Sequence, residues 1–405
     1  MKTVAIISEY NPFHSGHEYQ IQKIREEFGQ DTRIIAIMSG NYTQRGETAI
    51  MDKSLRAACA VNCGVNLVLE LPFPYSASSA EFFAKSGVKI ANSLGLVDYL
   101  CFGSELGEIS ELSNVARNMT RKEYQKRLKD NLTSKTVRAA GYPEICQYTY
   151  NELYGDTLPK DIFSPNNILA IEYIKALIES KSNILPHTIK RLGAGYSETN
   201  LQDSEHQSAS AIREMMSKDV VSAMKYMPNN LKNLLVKNFN NKNFPCNVEK
   251  LSTAVISHFR LNLPMDEKGI HDAGGGLYNR LQNASLEATT LSKLTELADT
   301  KKYTAARIRR AIWFSFFGVT SSEVKMLPLY TQTLAMDTVG KSILKEAKKI
   351  SDFPILTKPS AYGALSQEAK RQKLLSDKAD SIFQLSKPKA VPGNLSLLTS
   401  PYIKD

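Results

Sequence analysis

The apolar run Val4-Ala5-Ile6-Ile7 stops at Ser8-Glu9 and is followed by Tyr10-Asn11-Pro12-Phe13-His14-Ser15-Gly16-His17. A short apolar run, a proline turn and then a helix-like stretch over 19–28 read as a buried strand feeding a helix N-terminus. His14 and His17 are three residues apart, so both rings share one side of a helical first turn. Gly16 brings no Cβ and lets the backbone approach a bound group. The helix that follows aims its free N–H groups and the positive end of its dipole at the same point. Two imidazoles donating hydrogen bonds beside such an end suit the phosphates of a nucleotide, where negative charge needs donors. The register of strand, turn, glycine and helix therefore implies a nucleotide site.

The next hundred residues repeat the pattern. Apolar runs at 33–38, 67–71 and 97–102 alternate with helix-like stretches at 53–63 and 80–94. Strand–helix–strand repetition predicts an α/β fold with a parallel sheet, and ligands sit at the carboxyl ends of its strands. Each such end carries polar or glycine residues: Ser39–Arg45 is Ser-Gly-Asn-Tyr-Thr-Gln-Arg, then come Pro72-Phe73-Pro74 and Gly103-Ser104-Glu105. Any one of them is ordinary turn chemistry. Their recurrence at one edge predicts a shared pocket. Residues 106–180 read as helical, with Ser164 and Pro165 opening an apolar helix, and a strand ends at Lys190-Arg191.

Charge divides the chain. Of its 51 Lys/Arg and 41 Asp/Glu, residues 1–210 hold 22 and 24, a net of −2. Residues 211–405 hold the remaining 29 and 17, a net of +12. So much positive charge beyond the nucleotide motif predicts a polyanion partner, and nucleic acid is the natural one. Within that second half the densest cluster is Lys301-Lys302-Tyr303 with Arg307, Arg309 and Arg310, beside Trp313 and Phe314. At helical spacing Arg307 and Arg310 share a face, and the mixture suits RNA backbone and stacking contacts. Five cysteines with no Cys-x-x-Cys pair, and no apolar run long enough for a signal peptide or a membrane span, are expected of reduced thiols in a cytoplasmic protein.

A second motif, Ser208-Ala209-Ser210-Ala211-Ile212-Arg213, reads as a serine-capped helix whose first turns present an arginine. Serine hydroxyls and a guanidinium suit phosphate oxygens and a departing pyrophosphate. Met216-Ser217-Lys218 is similar to the Lys-Met-Ser-Lys-Ser loop of class I aminoacyl-tRNA synthetases, but Met215 and Asp219 break both ends of the match.

His-x-Gly-His with a later Ser-x-Ser-x-x-Arg resembles the two motifs of the HIGH-type nucleotidyltransferase superfamily. The string Glu9–His17 resembles one branch of it, the bacterial tRNA(Met) cytidine acetate ligases. Ser39-Gly40-Asn41, Gln44-Arg45-Gly46, Phe102-Gly103-Ser104-Glu105, Ser164-Pro165-Asn166-Asn167, Arg191-Leu192-Gly193-Ala194-Gly195-Tyr196 and the block 303–310 extend the match over most of the chain. Simple adenylyltransferases usually carry Gly-Ser or Gly-Thr where this chain has Ser8-Glu9, which argues against a plain dinucleotide-cofactor synthase.

The resemblance implies a Rossmann-like nucleotidyltransferase domain over 1–210, then a mainly helical, basic tRNA-binding region over 211–405. It implies that acetate and ATP give acetyl-adenylate, and that the acetyl group passes to the wobble cytidine of elongator tRNA(Met). ATP would contact Ile7-Ser8-Glu9-Tyr10-Asn11-Pro12-Phe13-His14-Ser15-Gly16-His17-Glu18-Tyr19-Gln20, Gly103, Asn166, Arg191 and Leu192. His14, His17, Ser210 and Arg213 would serve catalysis, with Mg²⁺ bridging phosphate oxygens on ligands the sequence does not assign. No obligate protein partner is expected. Two other readings stay open at this level: a small-molecule adenylyltransferase or protein-thiol acetate ligase of the same superfamily, and a non-catalytic RNA-binding protein.

Overall fold

The structure is a computed structural model that describes residues 1–133, 142–159, 161–191, 207–262, 269–394 and 400–404. Five strands form where β-branched and leucine-rich runs end in polar or glycine residues. They are β1 (Thr3–Ser8), β2 (Arg33–Ser39), β3 (Leu67–Leu71), β4 (Tyr99–Ser104) and β5 (Leu185–Lys190). Between them run α1 (Ser15–Phe28), α2 (Lys53–Asn62) and α3 (Ala80–Ser93). The long connection from β4 to β5 includes α4 (Ile109–Met119), α5 (Lys122–Thr133), α6 (Tyr142–Tyr154) and α7 (Pro165–Glu179).

The five strands are parallel, in the order β5-β4-β1-β2-β3. The chain runs outward from β1 to β3 and then jumps back to β4. Strand order therefore reverses between β1 and β4, and a cleft opens at their carboxyl ends. Alternation assigns the two faces. Ala5, Ile7, Ile35, Ile37 and Leu69 pack against α3, α4 and α7 through Phe83, Val88, Leu112 and Ile171. Val4, Ile6, Ile34, Ala36 and Met38 pack against α1 and α2 through Ile21, Ile24, Leu55 and Val61. Each such branched side chain contributes about 1.5–3 kcal/mol on burial. Gly87 lets α3 close on β1: a Cβ there would meet Ile7 Cδ1 at 2.5 Å.

Past residue 207 the chain begins with α8 (Ala209–Lys218), which buries Ile212 and Met216 on the α1–α2 side. Helices Ser252–Leu261, Leu277–Glu287, Leu291–Ala298 and Ala305–Phe317 then build a core of their own. Tyr42 and Phe73, from the ends of β2 and β3, belong to that core. The chain afterwards returns to the sheet. β6 (Thr331–Met336) pairs antiparallel with β3, and β7 (Ile355–Leu356) and β8 (Tyr402–Ile403) pair with β6 in parallel. A buried charge cluster fastens helix Gln367–Phe383 to the strand ends: Lys53 Nζ lies 2.6 Å from Glu70 Oε1 and also pairs with Asp380. Asn41 Nδ2 donates to Asp380 Oδ1 at 2.7 Å. Leaving one member of such a set unpaired costs about 3–5 kcal/mol. No helix among the described residues is long and apolar enough to cross a membrane, and all five cysteines are free thiols.

Candidate active site

His14 and His17 stand at the turn from β1 into α1. His14 is the N-cap of α1, and its Nδ1 accepts the N–H of Gly16 at 3.0 Å. His17 Nδ1 accepts the N–H of His14 at 3.2 Å. A neutral imidazole has one lone-pair nitrogen and one N–H, so an accepting Nδ1 places the proton on Nε2. Both rings are thereby fixed as donors. Their centroids lie 3.9 Å apart, and Tyr10 and Phe13 wall His17 at 4.9 and 5.5 Å. Burial, then the neighbouring His14 and Arg191, hold the His17 pKa well below its ordinary value. A neutral donor remains a donor across physiological pH.

On the β4 side, a Cβ at Gly103 would stand 3.1 Å from Arg191 Cγ, so the bare backbone lets that side chain lie close against the strand end. Glu105 and the start of α7 lock each other. Glu105 Oε1 accepts Asn166 Nδ2 at 2.6 Å, and Oε2 accepts the Asn167 N–H at 2.9 Å. Asn167 Oδ1 in return accepts the N–H groups of Glu105 and Leu106 at 3.0 and 3.2 Å. This lock satisfies N–H groups at the start of α7; Ser164 occupies the cap position, but its side chain makes no cap bond. Gly103, Asn166 and Arg191 are thus gathered on one side of the two histidines. Leu192 and the Gly193–Tyr196 segment lie outside the described residues.

On the other side stands Arg213. Ser208 caps α8 by accepting the Ala211 N–H at 3.2 Å. Arg213 Nη1 donates to the Asn11 carbonyl at 2.9 Å, and Nη2 donates to Glu47 Oε2 at 2.8 Å and Ser210 Oγ at 3.3 Å. The two sequence motifs, some 200 residues apart, therefore meet at one loop. Glu9, just past β1, is partly buried and accepts the Gln44 N–H on Oε1 at 2.9 Å. Burial raises its carboxyl pKa above the ordinary value, against the lowering effect of that hydrogen bond and of Arg213.

Sequence reasoning missed Arg56. It is fully buried in α2 and donates to the carbonyls of Met51, Glu9, Ser39 and Gly40, clamping the ends of β1 and β2 together. The available signal was a lone arginine within the apolar span 55–61.

The basic cluster of helix Ala305–Phe317 has structural partners. Arg307 donates to the carbonyls of Asp272 and Gly274 at 3.1 and 2.9 Å and lies over the Tyr303 ring. Arg310 is buried, with Nε 2.6 Å from Asp272 Oδ2. Lys302 donates to the Gly275 carbonyl. Arg309 Nε donates to the Arg45 carbonyl at 3.1 Å. Lys301 is exposed. The expected shared face of Arg307 and Arg310 exists, and it is turned onto the 272–275 loop. Trp313 and Phe314 are buried, and Trp313 Nε1 donates to the Gly46 carbonyl at 3.0 Å. Their rings serve the core instead of an exposed stacking surface.

A parallel sheet with a topological switch at β1 and β4, and with two histidine donors and an arginine at the switch, defines a HIGH-type nucleotidyltransferase. The family profile described as HIGH Nucleotidyl Transferase matches residues 1–394. The tRNA(Met) cytidine acetate ligase of Thermoanaerobacter sp. (strain X514) is 38% identical over 367 residues, covering 89% of this chain and 90% of that protein. The tRNA(Met) cytidine acetate ligase of Acetivibrio thermocellus is 36% identical over 376 residues, covering 89% of each. The crystal structure of Thermotoga maritima TmcAL bound with alpha-thio ATP matches with a TM-score of 0.89 and 30% identity, covering 100% of this chain and 99% of that one. The chain belongs to the tRNA(Met) cytidine acetate ligase family.

Proposed function

We propose that this protein activates acetate with ATP and transfers the acetyl group to the exocyclic amine of the wobble cytidine of elongator tRNA(Met), giving N4-acetylcytidine. The observation that carries the reading is the anchoring of Arg213 on the Asn11 carbonyl, three residues before His14, in the loop that leads into the two histidine donors. Acetate is already ionised at neutral pH and needs no base. Its oxygen attacks the α-phosphorus, the bond to pyrophosphate breaks, and acetyl-adenylate forms. Catalysis of that step is positioning plus charge stabilisation. His14 and His17 donate to the phosphates. Arg213, with Ser210 and the Ser208-capped end of α8, holds the departing pyrophosphate. Gly103, Asn166 and Arg191 supply the further contacts to ATP. Mg²⁺ enters with the phosphates as part of the nucleotide substrate.

In the second step the cytidine amine attacks the acetyl carbon and AMP leaves. The base must be splayed from its stack to reach the cleft. The first 210 residues, together with Arg213 on α8, are assigned the nucleotide chemistry. The region 211–405, with its net +12, is assigned the tRNA; of the basic cluster, the exposed Lys301 and Lys302 supply backbone contacts, while Arg307 and Arg310 are engaged by the 272–275 loop and Arg309 by the Arg45 carbonyl. Such a reaction belongs in the cytoplasm, where ATP and tRNA meet.

The test supplies purified protein with ATP, Mg²⁺ and labelled acetate, with and without bacterial tRNA. Label in acetylcytidine together with AMP supports the reading. AMP or acetyl-adenylate without labelled RNA assigns the acyl group to another acceptor.

A further inference from the structure

Transfer to an amine releases a proton, and the first-step residues do not take it. His14 and His17 spend their only lone-pair nitrogens on backbone N–H groups, so as neutral rings they donate and do not accept. The carboxylates at the strand ends can be followed one at a time. Glu70 is paired with Lys53. Glu105 spends both oxygens on Asn166 and Asn167. Glu47 lies against two guanidinium groups, 2.8 Å from Arg213 and 3.6 Å from Arg309. Glu9 differs. Its Oε1 accepts Gln44 N–H, and its Oε2 has no hydrogen bond or ion pair at 4.0 Å or less to a described residue.

Its placement is also firm. The Glu9 carbonyl is held by Arg56 and its carboxylate by Gln44, from the neighbouring strand end. It is the first residue past β1, five before His14, at the edge where the adenylate forms.

We propose that Glu9 is the proton acceptor of the acetyl-transfer step. This rests on the ligase reading above. The cytidine N4 forms a bond to the acetyl carbon, the bond from that carbon to the AMP phosphate oxygen breaks, and AMP leaves with the electron pair. The N4 proton passes to Glu9 Oε2 and then to solvent. The charged and titratable groups facing Glu9 are Arg213 on α8, Arg45 and Glu47 on the loop after β2, Arg56 on α2 and Tyr173 on α7. Burial outweighs the cations and lifts the carboxyl above the ordinary glutamate value of 4.5, toward the range in which a base works at neutral pH.

The experiment measures two rates in wild type and in Glu9→Gln, which keeps an oxygen for Gln44. One is acetate-dependent exchange of pyrophosphate into ATP. The other is single-turnover formation of acetylcytidine after tRNA(Met) transcript is added to enzyme charged with ATP, Mg²⁺ and acetate. The ratio of transfer to exchange falls about 10²-fold in Glu9→Gln, a typical loss for a missing base. The wild-type transfer rate rises with pH through one ionisation above 4.5, and the variant loses that limb. Glu9→Asp keeps the limb and recovers part of the ratio. A ratio within about threefold of wild type, or an Asp variant no better than Gln, overturns the assignment. Exchange that is absent in wild type overturns the ligase reading itself, and this inference with it.

Discussion

Arg213 Nη2 lies 2.8 Å from Glu47 Oε2, joining α8 to the loop that follows β2. The same carboxylate stands 3.6 Å from Arg309 Nη2, on the helix that carries the basic cluster. One acid thus bridges the arginine assigned to pyrophosphate and an arginine of the second half. It is also a negative charge beside the place for a triphosphate. Glu47→Gln is expected to tighten ATP binding by about fivefold, about 1 kcal/mol of relieved repulsion at a partly screened site. Calorimetric titration with ATP checks this; weaker binding would show that Glu47 serves by holding Arg213 in place.

The donor assignment of the histidines gives a separable prediction. Asparagine is as good an N-cap as any residue, so His14→Asn is expected to keep α1 capped, with stability within about 1 kcal/mol of wild type. It lacks the Nε2 donor, and adenylate formation should fall about 10²-fold or more. Pyrophosphate exchange and a denaturant melt read the two effects. A variant equally crippled in both would make His14 a structural residue.

The depressed pKa of His17 sets a pH dependence of stability. The folded ring stays neutral where the unfolded ring takes a proton, so the unfolded state binds more protons below about 6.5. The contribution of His17 is fully present above that value. It is lost as pH falls from about 6.5 toward the folded pKa, with a slope of at most about 1.4 kcal/mol per pH unit. Unfolding followed from pH 7.5 to 5 should show the fall in wild type and a shallower one in His17→Asn.

Arg310 and Lys301 should behave differently although they sit in one basic cluster. Arg310 is buried against Asp272, and Arg310→Met leaves that carboxylate without its cation. A loss of about 3 kcal/mol in unfolding free energy is expected. Lys301→Ala, at an exposed residue, should leave stability unchanged and weaken tRNA binding, with the salt slope lowered by roughly one for a lost phosphate contact. An unchanged slope removes Lys301 from the interface.

Much of the first half was legible in its sequence. Buried parallel strands are near-continuous apolar runs, and β1, β2 and β3 ended within a residue or so of where those runs end. Local chemistry also predicted the serine cap of α8 and the proline at the start of α7. The basic second half was harder to read. Arg307 and Arg310 look like a solvent face, and the carbonyls and the Asp272 carboxylate of the 272–275 loop that engage them lie some 35 residues away.

The sequence by itself determined the alternation of strands and helices in the first half, the His-x-Gly-His turn, the serine–arginine helix start and the uneven charge. Each is a short-range pattern in which the residues that matter are neighbours in the chain. Only the tertiary structure decided that β6 closes on β3, that Arg56 gathers four carbonyls, that Arg213 reaches the loop after β1, and that Glu9 keeps one oxygen without a partner among the described residues. Those outcomes depend on which groups are desolvated together and which buried charges find partners, and distant segments settle both only when they pack.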